Sequence, residues 1–175
     1  MNDRDHLADA QRRMFLTRTA AAAAVGGAVV TAVPPGAAAA PALARVTYPS
    51  VRLGTLAELR VNEPKVVAYP DSDSPGVLIK LGVAVDGGVG PESDIVAFST
   101  QCPHKGFPLF YRADDRTLSC PGHYGRYDCE RGGLLVWGHA TQNLPQFTLR
   151  VTAQGDILAE GVDELIYGRT SNVLA

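Results

Sequence analysis

From Arg45 onward the apolar residues come in short runs rather than at helical spacing. KVVAY at 65–69, VLIKLG at 77–82, DIVAFS at 94–99 and FTLRVT at 147–152 are rich in Val, Ile and Phe, the residues that suit a pleated, half-buried strand. Between the runs stand clusters such as PDSDSPG and DGGVGPES, in which Gly, Pro, Asp and Ser supply turn geometry. The pattern predicts an all-β domain, an antiparallel sandwich or barrel. TLAELR at 55–60 is the one stretch with a helical look, and it is short. No internal repeat is visible.

The first 44 residues follow another pattern. Arg12 and Arg13 precede Phe15 and Leu16, and a low-complexity run rich in Ala, Gly and Val follows. This resembles a twin-arginine signal peptide, and the Ala-Leu-Ala at 42–44 fits a cleavage site before Arg45. The alternative is a retained membrane anchor. The run from Leu16 to Val33 is only moderately hydrophobic, however, and Pro34 and Pro35 stop it short of the roughly 20 residues that span a bilayer. The resemblance implies a leader at 1–44, a domain at 45–175 and a periplasmic protein that crosses the membrane already folded. A cofactor inserted in the cytoplasm suits that route.

Length and composition narrow the picture further. With 175 residues and 46% hydrophobic content, the chain holds one well-buried domain and little else. Its 16 Lys and Arg against 18 Asp and Glu form no basic run beside aromatics, which speaks against a nucleic-acid partner.

The chemistry lies in CPHKGFPLFYRADDRTLSCPGHYGRYD, residues 102–128. Cys102-x-His104 and Cys120-x-x-His123 are each led in by a strand-like run, DIVAFSTQ or RTLS, so each pair sits on a loop at a strand end. Two soft sulfurs and two imidazole nitrogens suit either a tetrahedral zinc or a Rieske [2Fe-2S] centre, in which two Cys hold one iron and two His the other. Zinc fingers tend to cluster their ligands by type. Here each loop has one Cys and one His, an order that suits the second occupant. With two cysteines engaged, only Cys129 is left, so no intrachain disulfide can form.

CPHKGF and CPGHYGRYD resemble the two cluster-binding loops of Rieske proteins, commonly Cys-x-His-x-Gly-Cys and Cys-x-Cys-His followed by Gly or Ser and then Tyr-Asp. The resemblance implies Cys102, His104, Cys120 and His123 as ligands of a Rieske-type [2Fe-2S] cluster, with Gly106 and Pro121 shaping the loops. It also implies a Rieske-type antiparallel β-sandwich or barrel with a smaller cluster-binding subdomain, its loops at about 100–129. Outside the loops, NEPKVVAYPDSDSPGVLIKLG, GGVGPESDIVAFSTQCPHKG, NLPQFTLR and VDELIYGR are similar to the small subunits of arsenite oxidase, from about Tyr48 to the C-terminus. That likeness implies an electron-transfer role beside a molybdenum-containing large subunit, with a cytochrome c or copper protein as acceptor. A Rieske subunit of a quinol-oxidising complex and a zinc-stapled module without redox chemistry are the alternatives. No nucleophile, general base or substrate pocket is visible, so the domain is expected to convert no substrate alone.

The chain departs from the commoner Rieske pattern in ways that matter. Phe107 and Gly122 stand where two cysteines usually bridge the loops, so closure must rest on the cluster, on packing of Phe107 and on hydrogen bonds. Gly125 replaces a serine found in many high-potential members, which removes a hydroxyl donor and should lower the potential. Tyr127 keeps the position whose hydroxyl bonds a ligand sulfur in relatives. Of the remaining residues, Cys129 and Trp137 are expected in the core. His139 is read as a polar loop residue, although the resemblance implies that its loop, Gly138 to Pro145, covers the cluster. His6 falls in the leader.

Overall fold

The computed structural model describes residues 47–173, so the leader reading at 1–44 lies outside the described residues. Ten strands follow in chain order: β1 Val51–Thr55, β2 Lys65–Ala68, β3 Pro75–Lys80, β4 Ile95–Ser99, β5 Phe110–Arg112, β6 Thr117–Ser119, β7 Arg126–Asp128, β8 Leu134–Trp137, β9 Phe147–Val151 and β10 Asp156–Val162. They form three antiparallel sheets, β1-β10-β9, β2-β3-β4 and β5-β6-β7-β8. The helical look of TLAELR reduces to one turn of 3-10 helix at Leu56–Glu58, because three residues cannot sustain an α-helix. Among the described residues no helix is long and apolar enough to cross a membrane.

The sheet β2-β3-β4 lies in the middle, and its sequence shows why. Leu78, Ile95 and Ala97 face one core with Leu53, Phe147 and Ile157, while Val77, Ile79, Val96 and Phe98 face a second with Leu118, Tyr127 and Leu144. A strand buried on both faces reads as a continuous apolar run rather than an alternation, as VLI and IVAF do. Each such side chain contributes about 1.5–3 kcal/mol of burial. The second core joins the central sheet to the four-stranded sheet, which is the small subdomain that carries both Cys-His loops. Polar bonds add to that joint. Tyr111 Oη donates to Asn62 Oδ1 at 2.8 Å, and Arg116 Nε donates to the Leu81 carbonyl at 3.1 Å.

One core assignment fails. Trp137 is 68% exposed. Leu135 faces inward opposite Tyr127, and strict alternation would also turn residue 137 inward. A bulge in the β7–β8 ladder between Arg126 and Tyr127 pairs Trp137 with Arg126 instead and turns it out. Cys129 is fully buried, and burial pushes its thiol up to about 12, the behaviour of an inert core residue.

Candidate metal centre

Loop 1 leaves β4 and leads to β5; loop 2 joins β6 to β7. The two loops close by the same backbone bonds. The Cys102 N–H donates to the Phe107 carbonyl (2.9 Å) and the Gly106 N–H to the Cys102 carbonyl (2.7 Å). In loop 2 the Cys120 N–H donates to the Gly125 carbonyl (2.8 Å) and the Tyr124 N–H to the Cys120 carbonyl (3.1 Å). The fifth residue of each loop is left-handed, Gly106 with φ +70° and Tyr124 with φ +59°. Each cysteine is thus pinned at the neck of a tight turn with the following residues arched over it.

All four candidate ligands come together, and the donor set is divided by burial. The Cys102 and Cys120 thiols are neighbours and are each 2% exposed. His104 is half-buried and His123 exposed, with ring centroids 4.8 Å apart. Burial pushes the Cys120 thiol up, while backbone N–H groups of His123 and Gly122 directed at the sulfur oppose the shift by favouring the thiolate. Burial also lowers His104, helped by His123, Lys105 and His139 nearby, so its ring stays in the neutral form that binds metals. The Tyr127 hydroxyl lies 3.3 Å from Cys102 Sγ. Burial, then the contact with Cys102, raises that phenol well above its usual range, so it stays protonated and can donate to a thiolate sulfur.

These residues fit a binuclear cluster better than a zinc ion. Tetrahedral zinc needs four donors on one centre, whereas here the two cysteines neighbour each other and the two imidazoles pair with each other. A [2Fe-2S] cluster asks for two on each iron, and here the sulfurs sit at the buried end and the imidazoles at the exposed end.

The model matching residues 50–148 of this chain is that of the Rieske [2Fe-2S] domain. The chain belongs to the Rieske [2Fe-2S] family. Its cofactor is the Rieske-type [2Fe-2S] cluster. Among curated relatives, iodate reductase subunit IdrB of Denitromonas iodatirespirans is 46% identical over 131 residues, 73% of this chain and 70% of the relative. The same-named subunit of Pseudomonas sp. (strain SCT) is 44% identical, covering 71% of this chain and 66% of its own length, just under two thirds. Among solved structures, the soluble domain of Rieske protein II from Sulfolobus acidocaldarius superposes with a TM-score of 0.59 at 25% identity, over 66% of this chain and 78% of that one.

With the Rieske loops placed, the two departures have a structural meaning. A Cβ built on Gly122 would stand 2.9 Å from the Phe107 ring, so positions 107 and 122 abut and the ring fills the space between the loops. The same ring meets His123 edge-on, with centroids 6.0 Å apart. At Gly125 a Cβ would meet Tyr127 Oη at 3.5 Å and Cys120 Cβ at 3.7 Å, which is ordinary contact, so a serine fits there.

His139 is exposed on its loop, as read, and its ring centroid is 5.9 Å from that of His104. Tyr167 falls within VDELIYGR, but nothing in the sequence places it at loop 1. Its ring occupies the space beside Gly106, where an added Cβ would come within 2.5 Å of it. The segment bearing Tyr167 is held at several points: Arg169 grips Asp71 with two bonds of 2.7 and 2.8 Å, the Ile166 N–H donates to Asn172 Oδ1 (2.9 Å), and Gln142 Nε2 donates to the Leu165 carbonyl (2.9 Å). The C-terminal segment is a strap across loop 1. The requirement for glycine at 106 is therefore doubled, by φ and by the tyrosine above it.

Proposed function

We propose that this chain is the electron-transfer subunit of a periplasmic oxidoreductase whose larger, molybdenum-containing subunit converts the substrate. The polarity of the site carries this reading: the cysteines are buried and the imidazoles stand at the rim. Cys102 and Cys120 would hold one iron, His104 and His123 the other. The bound cluster supplies transfer of one electron at a time. The chain's own residues set the conditions: the Tyr127 hydroxyl is placed to donate to a thiolate at Cys102, N–H groups of loop 2 face Cys120, and Phe107 lies across the seam between the loops.

Arsenite is the first substrate reading for the larger subunit, supported by the arsenite-oxidase-like stretches from about Tyr48 onward. Arsenite would give up an electron pair as it becomes arsenate, and this chain would pass the electrons singly to a cytochrome c or copper protein. Iodate is the second reading, favoured by the relative that is 46% identical, and in it electrons run inward to the larger subunit. The coexpressed complex separates them. In the first reading, arsenite elicits the EPR signal of the reduced Rieske centre and drives cytochrome c reduction. If iodate oxidises the pre-reduced centre and arsenite leaves the oxidised one untouched, the second holds. If no complex forms under native expression, the subunit reading fails and the electron-transfer domain stands alone. The Arg12-Arg13 leader supports export. Replacing both arginines with lysine is expected to leave the protein in the cytoplasm on cell fractionation.

A further inference from the structure

The four-stranded sheet turns its outer face to solvent beside loop 2, and apart from Cys120 this face has no part in holding the cluster. Phe110, Ser119 and Arg126 stand opposite one another on β5, β6 and β7, and Trp137 continues the row on β8. Phe110, Cys120, Pro121 and Tyr124 line a cavity of about 460 Å³ together with Ser119 and the charged Arg112, Asp115 and Arg126, a size within the range of ligand pockets. Most of its wall surface is apolar despite those charges. Phe110, Tyr124 and Trp137 are 49%, 76% and 68% exposed, although large aromatics are the residues that interfaces bury.

Two polar groups in the cavity lack partners. Ser119 is only 7% exposed, and its Oγ has no hydrogen-bond partner among the described residues. Arg126 Nε is also buried and unpaired there, while a terminal nitrogen of the same guanidinium meets Asp115. Buried donors without acceptors are rare in native proteins and are expensive to keep. With Asp115 taken by the guanidinium's terminal nitrogen, Ser119 Oγ and Arg126 Nε are left free to meet an oxygen acceptor from outside the chain.

The apolar walls and the size needed for a stable complex indicate what supplies it. A stable subunit interface buries about 800 Å² on each side, more than two imidazole edges and the Phe107 ring present. Loop 2 joins the two surfaces directly, since Pro121 and Tyr124 flank Gly122 and His123 in the chain. We propose that the interface with the catalytic subunit runs from the imidazole rim across loop 2 into this cavity. There it receives an apolar side chain of that subunit, together with a carbonyl or carboxylate oxygen that accepts from Ser119 Oγ and Arg126 Nε. This rests on the subunit reading above and adds where, and by what chemistry, the partner docks.

Phe110→Asp tests it in the full chain coexpressed with the larger subunit, since this change charges a cavity wall and replaces no cysteine or histidine. Association measured by gel filtration and titration is expected to weaken about thirtyfold or more, as for a hot-spot residue, with the cluster's absorbance and EPR spectrum unchanged. An equally tight complex with Phe110→Asp overturns the docking assignment while leaving the subunit reading intact. If the wild-type chain forms no complex, the subunit reading itself falls, and this proposal with it. Self-association of the isolated chain that Phe110→Asp abolishes would identify a second copy as the occupant and overturn the proposal in that way. Should Phe110→Asp lose the cluster, Phe110→Ala with the same two measurements takes its place.

Discussion

Loop 1 and loop 2 repeat one backbone design, yet their fifth residues differ as far as residues can: Gly106 in one, Tyr124 in the other, both left-handed. The surroundings explain the difference. Above Gly106 the strap brings the Tyr167 ring to within 2.5 Å of an imagined Cβ, so only a residue without a side chain fits. Above Tyr124 there is solvent. The tyrosine accepts an unfavourable φ, a cost of about 1–2 kcal/mol, and projects its ring over the cavity beside Cys120. One loop is clamped from within the chain, while the other is left open toward a partner. The seam between them is closed by Phe107 lying on Gly122 rather than by a disulfide.

The largest effect expected is on the ligands of the two loops. His104→Ala or His123→Ala should remove the Rieske EPR signal altogether, or leave a cluster of much lower potential, since imidazole ligation raises a Rieske potential. An unchanged spectrum in both variants would mean that the loops do not each contribute one imidazole. Gly106→Ala sharpens the contrast between the clamps: it pairs a left-handed alanine with displacement of Tyr167 and should cost about 2–3 kcal/mol, seen as a lower thermal midpoint and faster loss of cluster colour. If instead Gly106→Ala is as stable as wild type, the strap does not hold loop 1.

Smaller effects follow from the donors. Gly125→Ser finds room beside Tyr127 and Cys120, and its hydroxyl should raise the potential by tens of millivolts, about 1 kcal/mol for one electron. Tyr127→Phe removes the donor 3.3 Å from Cys102 Sγ and should lower it by a similar amount. Redox titration of both variants checks the pair, and a shared direction of shift would refute the donor argument. The smallest change is Tyr124→Gly. Relief of the left-handed tyrosine is offset by the entropy glycine adds to the unfolded chain, so stability measured by urea unfolding should stay within about 0.5 kcal/mol. Gly106→Ala and Tyr124→Gly are mirror substitutions on one backbone, and the difference between their costs measures how much the strap adds.

Much of this was legible from neighbouring residues. The apolar runs at 77–82 and 94–99 mark the central strands β3 and β4 because burial on both faces leaves no alternation to read. The ligand candidates were legible for a similar reason: a metal site built from two tight loops writes its donors at short spacing, and Cys102, His104, Cys120 and His123 do come together. The sequence marks Phe107 and Gly122 as departures but does not show how closely they abut.

What only the tertiary structure decided depends on residues far apart in the chain. Tyr167 lies over Gly106 because Arg169 reaches back to Asp71 and Gln142 holds the Leu165 carbonyl, contacts that leave no periodic trace. Trp137 faces outward because of one bulge in the β7–β8 ladder, and a single inserted residue reverses every alternation beyond it. The unpaired Ser119 Oγ emerges only when β5, β6 and β7 are laid side by side. Short-range spacing determines which atoms can bind a metal and which segments are strands. Register and strand order determine which side chains share a face, and that decides what covers each loop.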